Sequence, residues 1–316
     1  MKLSTLISYR DQLNEFDLDK AKDVLHQYLA PKVHRVTTHE IQLFDLSDKL
    51  VHNLDQIQQR VLDFNSTIEE LKESINGLIA QYEPSYFANS YQLYDQEMQY
   101  DSTEHILNRR LKLTRIQREY LLARLLPYSD WRFPGMIIRP GLEEWIDHLV
   151  ALDPMYLVDE SWELLDPVKT KFHDNYLNRL RMYKIDEYRG YEESRGLLSG
   201  LPVGQFGFCL AYNFFHYKPF EVMKIYFKEI YHMLRPGGVL ALTFNDCSRP
   251  GGVDLSERNF ACYTPSELVL SYAISLGFFV KEQSHINAAV TWLELQKPGE
   301  ISTLRGGQAL AKPVAE

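Results

Sequence analysis

Cysteine is scarce in this 316-residue sequence, and the way the cysteines are distributed excludes two kinds of stabilising site. There are three of them, an odd number, and Cys209, Cys247 and Cys262 are scattered, with no pair at the CxxC spacing. We therefore expect neither a disulfide framework nor a metal site. Free thiols of this kind are typical of a reducing compartment, so we expect a cytoplasmic location.

Long apolar runs and an excess of positive charge are also absent. No run is long enough to form a signal peptide or to cross a bilayer, and Arg10, Asp11 and Glu15 interrupt the start of the chain. The net charge is -9, which does not suit a surface that coats a polyanion. We therefore expect neither a membrane nor a nucleic acid as a partner.

Glycine and proline are nearly missing from residues 1–82, where only Gly77 and Pro31 occur, and we predict that this region is helical. Over residues 46–80, apolar residues recur at alternating spacings of four and three, which defines a heptad seam. One core position of the seam holds Leu54, Val61, Ile68 and Ile75, and the other holds Ile57, Phe64, Leu71 and Leu78.

The heptad seam predicts a coiled coil that joins copies of this chain, or this chain and a partner protein. The alternative is a helix packed inside its own domain against residues 16–30. The pattern favours both equally, and in either case it indicates an interaction element rather than a catalytic one.

The chain changes character near residue 100. Residues 83–101 contain tyrosine and proline and are predicted to form a connector, and residues 103–126 are predicted to form a second helix with one basic, solvated face. The C-terminal residues hold glycine and proline and little apolar material, which predicts an extended tail. We therefore divide the chain into a helical interaction region (1–100), a second domain (101–298) and a tail (299–316).

Strand-like and helix-like patterns alternate from Gly135 onward, which predicts a mostly parallel sheet covered by helices on both faces. The last two strands are too close in sequence for a crossover helix and should form an antiparallel hairpin at one edge. The predicted strands cover residues 135–138, 155–158, 180–185, 206–212, 239–244, 278–282 and 289–296. The predicted helices cover residues 142–150, 172–179 and 219–234, with one more that starts at a capping box in 264–267 and ends at Gly277.

The first strand-turn-helix-strand unit has the form of a nucleotide-binding unit. Its first strand meets a Pro-Gly turn at Gly141, an amphipathic pattern follows, and the second strand ends on Asp159. In open α/β sheets such a turn and the following helix N-terminus take one end of a nucleotide-like cofactor, and the acid takes the ribose hydroxyls.

A resemblance rests on the run Leu234-Arg-Pro-Gly-Gly-Val-Leu-Ala-Leu242 before the fifth strand, together with the alternation and the terminal hairpin. Over residues 103–298 the chain resembles the class I S-adenosylmethionine-dependent methyltransferases. The resemblance implies a Rossmann-like α/β sheet, here preceded by an all-α region with a coiled-coil helix, and S-adenosylmethionine as cofactor. The runs "YNFFHYKPFE" and "LRGGQALAKP" are similar to methyltransferase-like proteins of tailed bacteriophages, particularly cyanophages, which implies a host-cytoplasm or virion location.

The resemblance also implies which residues would hold the cofactor. Asp159 corresponds to the acid that binds the ribose hydroxyls, Asp186 to the residue that reaches the adenine amino group, and Asn213 to the residue at the methyl-donor end. Gly141 keeps the position where the backbone passes close to the cofactor.

The glycine-rich turn of the family is altered in this sequence. Ile137 replaces the acid of the first strand, and Arg139 and Glu143 replace the first and third glycines. Arg139 either pairs with the carboxylate of the cofactor or fills its space. Glu143 suits the nearby helix N-terminus without any ligand.

Three residues after the fourth and fifth strands are the catalytic candidates, namely His216, Asn213 and Asn245. His216 has the ordinary pKa best suited to a general base at neutral pH. Methyl transfer from a sulfonium depends mostly on positioning, so such a base is optional.

Two functions are consistent with these features. The first is a methyltransferase, a transferase whose helical region oligomerises it or recruits substrate, and intact Gly141, Asp159 and Asp186 favour it. The second is a catalytically inactive structural or adaptor protein, such as a virion component, and the altered turn, the heptad seam and the tail favour that. Of the two functions, the sequence features favour the methyltransferase slightly.

Overall fold

The structure is a computed structural model that describes residues 2–14, 40–99, 111–140, 145–170, 172–185 and 196–299. The chain divides into two compact units, Met1–Pro84 and Ser85–Glu316, and each is described by itself. Among the helices of these segments, none combines the length and the hydropathy needed to cross a bilayer.

The first unit is helical where it is described, as predicted. It contains α1 (Leu3–Asn14) and most of α2 (Glu40–Gln99), which has 60 residues. Along the heptad seam, Ile75 is buried, whereas Phe64 and Leu71 are 51% and 48% exposed. The side chains of Leu54 and Ile57 lie outside the described residues, and the coiled coil stays a prediction.

The connector predicted over residues 83–101 is wrong as far as Gln99, because α2 continues through Pro84. The part of α2 that follows the proline packs on a later loop. Tyr263 N donates to Ser90 Oγ at 2.7 Å, and the rings of Phe87 and Tyr263 meet edge to face at 5.1 Å. These contacts offset the backbone hydrogen bond that a proline removes from a helix.

The next helix, α3, covers Arg115–Leu125, and residues 103–110 of the helix predicted over 103–126 lie outside the described residues. Residues 111–114 are not helical, because Thr114 caps the helix. Thr114 Oγ1 accepts from Gln117 N at 3.3 Å, and Gln117 Oε1 accepts from Thr114 N at 2.8 Å. This reciprocal pair is a capping box, which the apolar periodicity does not reveal.

The second unit contains a seven-stranded sheet in the order β3-β2-β1-β4-β5-β7-β6. The first five strands are parallel, and β7 is antiparallel to both β5 and β6. The strands are β1 (Gly135–Ile138), β2 (Met155–Asp159), β3 (Leu180–Lys184), β4 (Phe206–Ala211), β5 (Leu234–Asn245), β6 (Phe279–His285) and β7 (Val290–Gln296). This order confirms the predicted Rossmann-like class I methyltransferase sheet with its C-terminal hairpin at one edge.

Helices cover both faces of the sheet, as predicted. One apolar core contains residues of α6 (Phe220–Met233) and α8 (Ser266–Ser275), and the opposite core contains residues of α3 and α4 (Trp162–Lys169). The described residues of the unit also contain two short helices, α5 (Asp174–Leu177) and α7 (Pro250–Glu257). The sequence predicted neither α4 nor α7.

The helix predicted over residues 142–150 is wrong in its described part, which is a 3-10 turn over Ile146–His148. Residues 141–144 lie outside the described residues. His148 N donates to Trp145 O at 3.1 Å and Leu149 N donates to Ile146 O at 2.9 Å, both three residues back. Val150, the last residue of the predicted helix, is 38% exposed.

Two smaller predictions are also wrong. Strand β5 begins at Leu234 rather than at the predicted residue 239, because the Arg-Pro-Gly-Gly run lies inside it as an irregularity, where the pairing with β4 shifts between Phe206 and Phe208. Thr264 does not cap α8. Its place is taken by Ser248, whose Oγ accepts from Ser266 N at 2.9 Å. Both features depend on partners that are distant in sequence.

Candidate functional site

The candidate site lies at the carboxyl ends of β1, β2 and β4. Strand β1 lies between β2 and β4, so the direction of chain progression reverses there. The register aligns Ile138 with Val158 and with Ala211, so the residues that follow these strands leave the sheet at nearly the same level. Open α/β sheets bind ligands at such a switch point.

Asp159 ends β2 as a fully buried carboxylate. Its Oδ1 accepts from Glu160 N at 2.7 Å and from Ser161 N at 3.4 Å. Its Oδ2 accepts no hydrogen bond from any residue that the structure describes. Burial raises the pKa of Asp159 to about 6, although the nearby Arg139 lowers it. A buried acceptor without a donor is costly in a folded protein, and it suits a ligand that brings a hydroxyl.

Arg139 follows β1 and is also buried. Its φ of 60° lies in the left-handed region, where glycine is ordinarily favoured. The backbone N of Arg139 donates to Val158 O at 2.8 Å. Its Nη2 donates to Glu160 Oε2 at 3.2 Å, and the guanidinium lies 5.0 Å from the centroid of the Phe214 ring.

Lys218 brings a second buried cation to the same place. Its ammonium pairs with Glu160 Oε1, and it lies 5.1 Å from the Phe214 centroid and 5.0 Å from that of Tyr94. Glu160 therefore bridges two buried cations. The sequence interpretation missed both Glu160 and Lys218. The available signal was a second acid directly after Asp159 and a lysine inside an otherwise aromatic loop.

Asn213 follows β4 with φ 54° and is buried. Its backbone N donates to Thr243 Oγ1 at 2.7 Å, whereas its Nδ2 has no acceptor among the described residues. The same is true of Trp145 Nε1, whose ring packs edge-on against Tyr212 at 5.4 Å. Two buried N–H donors, Asn213 Nδ2 and Trp145 Nε1, therefore lie near β4, in addition to the buried acceptor Asp159 Oδ2 at the end of β2.

His216 does not have the near-neutral pKa that suggested a general base. Burial lowers its pKa to about 3, and the charge of Arg139 lowers it further in the same direction. Its Nε2 lies 3.1 Å from Thr243 Oγ1, and its backbone O accepts from Cys262 N at 2.8 Å. His216 is therefore a neutral packing residue at pH 7, and a base of this strength has little power to take a proton.

Asn245 serves the loop after β5 rather than the site. Its Nδ2 donates to Gly252 O at 2.9 Å and to Cys262 O at 3.1 Å. These bonds occupy the amide nitrogen and hold two parts of the loop together, whereas Oδ1 accepts no hydrogen bond from the described residues, and the catalytic role of Asn245 stays a prediction.

Two predicted site residues, Gly141 and Asp186, and the altered turn position Glu143 complete the set. Gly141, Glu143 and Asp186 lie outside the described residues, and their roles stay predictions. Within the described segments, no group of three or more His, Cys, Asp and Glu side chains is arranged to hold a metal ion.

No protein-family model matches the sequence, and no curated protein is significantly similar to it. Solved structures with the same fold include S-adenosylmethionine-dependent methyltransferases from three organisms. The Mesorhizobium loti enzyme is 11% identical, with a TM-score of 0.45 over 57% of this chain and 98% of that one. The Archaeoglobus fulgidus enzyme is 15% identical, with a TM-score of 0.42 over 57% of this chain and 94% of that one. The Aquifex aeolicus enzyme is 12% identical, with a TM-score of 0.41 over 58% of this chain and 99% of that one. Similarity this low carries no argument about function, so the site must be judged on its own residues.

Proposed function

We propose that this chain is an S-adenosylmethionine-dependent methyltransferase. The observation that carries the proposal is the buried Oδ2 of Asp159, which accepts no hydrogen bond from the described residues and lies at the switch point of a class I methyltransferase sheet. The ribose hydroxyls of S-adenosylmethionine are donors that would satisfy this oxygen.

The residues present fit two parts of this cofactor. Asp159 suits the ribose, and the cations of Arg139 and Lys218 suit the carboxylate of the methionine end. The strand-1 acid is replaced by Ile137, which is buried in the apolar core beside β1, so the ammonium of the cofactor would find no carboxylate there.

When bound, the cofactor would supply a methyl group on a sulfonium. The contribution of the chain is to bind, to orient and to exclude water. Asp159 would fix the ribose. Asn213 and Trp145 would offer their buried N–H groups to the cofactor or to the methyl acceptor. Since in-line methyl transfer is governed by positioning, the weak basicity of His216 does not conflict with this activity.

Isothermal titration calorimetry with S-adenosylmethionine and S-adenosylhomocysteine tests the proposal. We expect the wild-type protein to bind both ligands. Asp159→Ala should weaken binding roughly tenfold or more, because it removes a hydrogen bond to a charged group. Asp166→Ala is the matched control, since this exposed aspartate on α4 pairs with Lys169 on the same helix. Absence of heat and of any thermal shift with wild-type protein at millimolar ligand would overturn the proposal.

The heptad seam supports a further part of the proposal, namely that the chain forms a homo-oligomer or binds a partner protein through residues 46–80. No observation on the described residues favours the catalytically inactive adaptor or the virion component over the enzyme. The resemblance to phage proteins likewise gains no support from the structure or the comparisons.

A further inference from the structure

Glu160 is bound by two cations that belong to different parts of the fold. Arg139 follows β1 and reaches Glu160 Oε2, while Lys218 precedes α6 and reaches Glu160 Oε1. Both cations also lie beside the same ring, at 5.0 Å and 5.1 Å from the Phe214 centroid. Two like charges placed together in a buried setting repel each other, so they need an anion between them.

The three charged side chains differ in their access to solvent. Those of Arg139 and Lys218 are each 4% exposed, whereas that of Glu160 is 28% exposed. The cations are therefore fixed parts of the site, and the carboxylate is the member that can turn outward. Once in water, Glu160 would regain its hydration at little cost, and another carboxylate could take the place of its two oxygens beside Arg139 and Lys218.

We propose that Glu160 is an internal stand-in for a ligand carboxylate. Arg139 and Lys218 form an anion subsite, Glu160 occupies that subsite in the free protein, and the carboxylate of the incoming ligand replaces it. The inference rests on the proposed function, because it assigns this subsite to the amino-acid end of a nucleoside ligand.

The exchange has a consequence for selectivity. A ligand with a carboxylate restores the charge balance when Glu160 leaves, whereas a ligand without one leaves Glu160 in place and gains nothing from the subsite. Competition by Glu160 therefore weakens the binding of carboxylate ligands alone. Removing the competing charge should strengthen the binding of those ligands and leave the others unchanged.

Two ligands that differ in the amino-acid end make the test. S-adenosylhomocysteine carries the carboxylate, and 5′-methylthioadenosine keeps the nucleoside and the sulfur but lacks the amino acid. In calorimetry we expect Glu160→Gln to tighten S-adenosylhomocysteine binding by about tenfold, the effect of 1.4 kcal/mol. Binding of 5′-methylthioadenosine should change less than twofold. Glu163→Gln, on the exposed face of α4, is the control and should change neither affinity.

A second variant keeps the inference falsifiable if Glu160→Gln does not fold. Lys218→Met removes one cation of the subsite, and it should weaken S-adenosylhomocysteine binding at least fivefold while sparing 5′-methylthioadenosine. Unchanged or weaker binding of S-adenosylhomocysteine to Glu160→Gln, or equal effects of Lys218→Met on the two ligands, would overturn the inference alone. If wild-type protein binds neither ligand, the proposed function fails and the inference fails with it.

Discussion

At the scale of single residues, Asp159 combines a functional position with an unfavourable environment. Its pKa rises on folding from 3.8 to about 6, mainly because burial disfavours the charged form. The folded protein therefore holds the proton more tightly than the unfolded chain does. The contribution of this group to the free energy of unfolding is greatest below pH 4, falls as the pH rises to about 6, and is lost above that.

Asp159→Asn should therefore stabilise the ligand-free protein at neutral pH. The amide keeps an acceptor for Glu160 N and Ser161 N but carries no charge to desolvate. We expect the free energy of unfolding to rise by up to about 3 kcal/mol at pH 8 and to change little at pH 4. Urea denaturation at both pH values measures it, with exposed Asp166→Asn as control. A variant that is less stable than wild type at pH 8 would show that the buried charge is better compensated than the described contacts indicate.

The sequence located some residues of the site and not others, for physical reasons. Asp159 and Arg139 could be found because each directly follows a recognisable strand, and parallel strands bring their carboxyl ends together. The link from Glu160 to Lys218 joins residues that no periodicity or spacing connects. The low pKa of His216 results from burial by the folded chain, so it could not be inferred from the residue type.

At the scale of elements, one buried carboxylate attaches α3 to β7. Glu294 is fully buried and accepts from Arg124 Nε at 2.7 Å, Tyr128 OH at 2.5 Å and Trp292 Nε1 at 2.9 Å. Burial alone would raise the pKa of Glu294, but the hydrogen bonds outweigh it and lower the pKa below its usual range. Ionised Glu294 is thus an integral part of the packing between helix and sheet.

Glu294→Gln should destabilise the fold, because it removes the charge that three donor side chains share and leaves Arg124 paired with the more distant carboxylate of Glu282, at 3.6 Å. We expect the free energy of unfolding to fall by about 2 to 3 kcal/mol. This is less than the roughly 3 to 5 kcal/mol typical of breaking a fully buried ion pair, because Arg124 is partly exposed. Glu119→Gln, in the exposed pair with Arg115, should change it by less than 1 kcal/mol. Equal effects of the two substitutions in urea denaturation would contradict the packing role.

Elements were predicted well wherever apolar residues are continuous in sequence. Strands β1, β4, β5 and β7, and α6 between β4 and β5, were found because runs buried on both faces and amphipathic stripes are local signals. The continuation of α2 past Pro84 depends on contacts with a distant loop. The start of α3 at Arg115 depends on the cap at Thr114. The proline and tyrosine content of residues 83–101 predicted a connector. The packing of Phe87 and Ser90 against Tyr263 keeps this segment helical instead.

At the scale of the whole molecule, the heptad seam of α2 predicts self-association or a partner protein. Phe64 and Leu71 occupy the same heptad position and are about half exposed, and Leu62 lies off the seam with 53% exposure. Exposure alone does not distinguish these three residues, but heptad position does. A coiled coil would bury the first two and leave the third in water.

Substitutions on and off the seam test this prediction. We expect Phe64→Gln with Leu71→Gln to shift the protein towards the monomer in sedimentation velocity runs, with at least a tenfold weaker association, since two buried apolar side chains are lost. Leu62→Gln should leave the association unchanged. A wild-type chain that sediments as a monomer would require a different partner, and an equal response to both changes would exclude the seam as the interface.

The position of β7 imposes an order on the biosynthesis of the domain. Among the described strands β7 comes last in the chain, yet it lies inside the sheet between β5 and β6 and contributes Trp292, Leu293 and Leu295 to the cores as fully buried side chains. Until this strand leaves the ribosome, β5 has an open hydrogen-bonding edge with apolar faces on both sides. The nascent domain therefore cannot complete itself strand by strand, and the interval before β7 emerges is when a chaperone would protect it most.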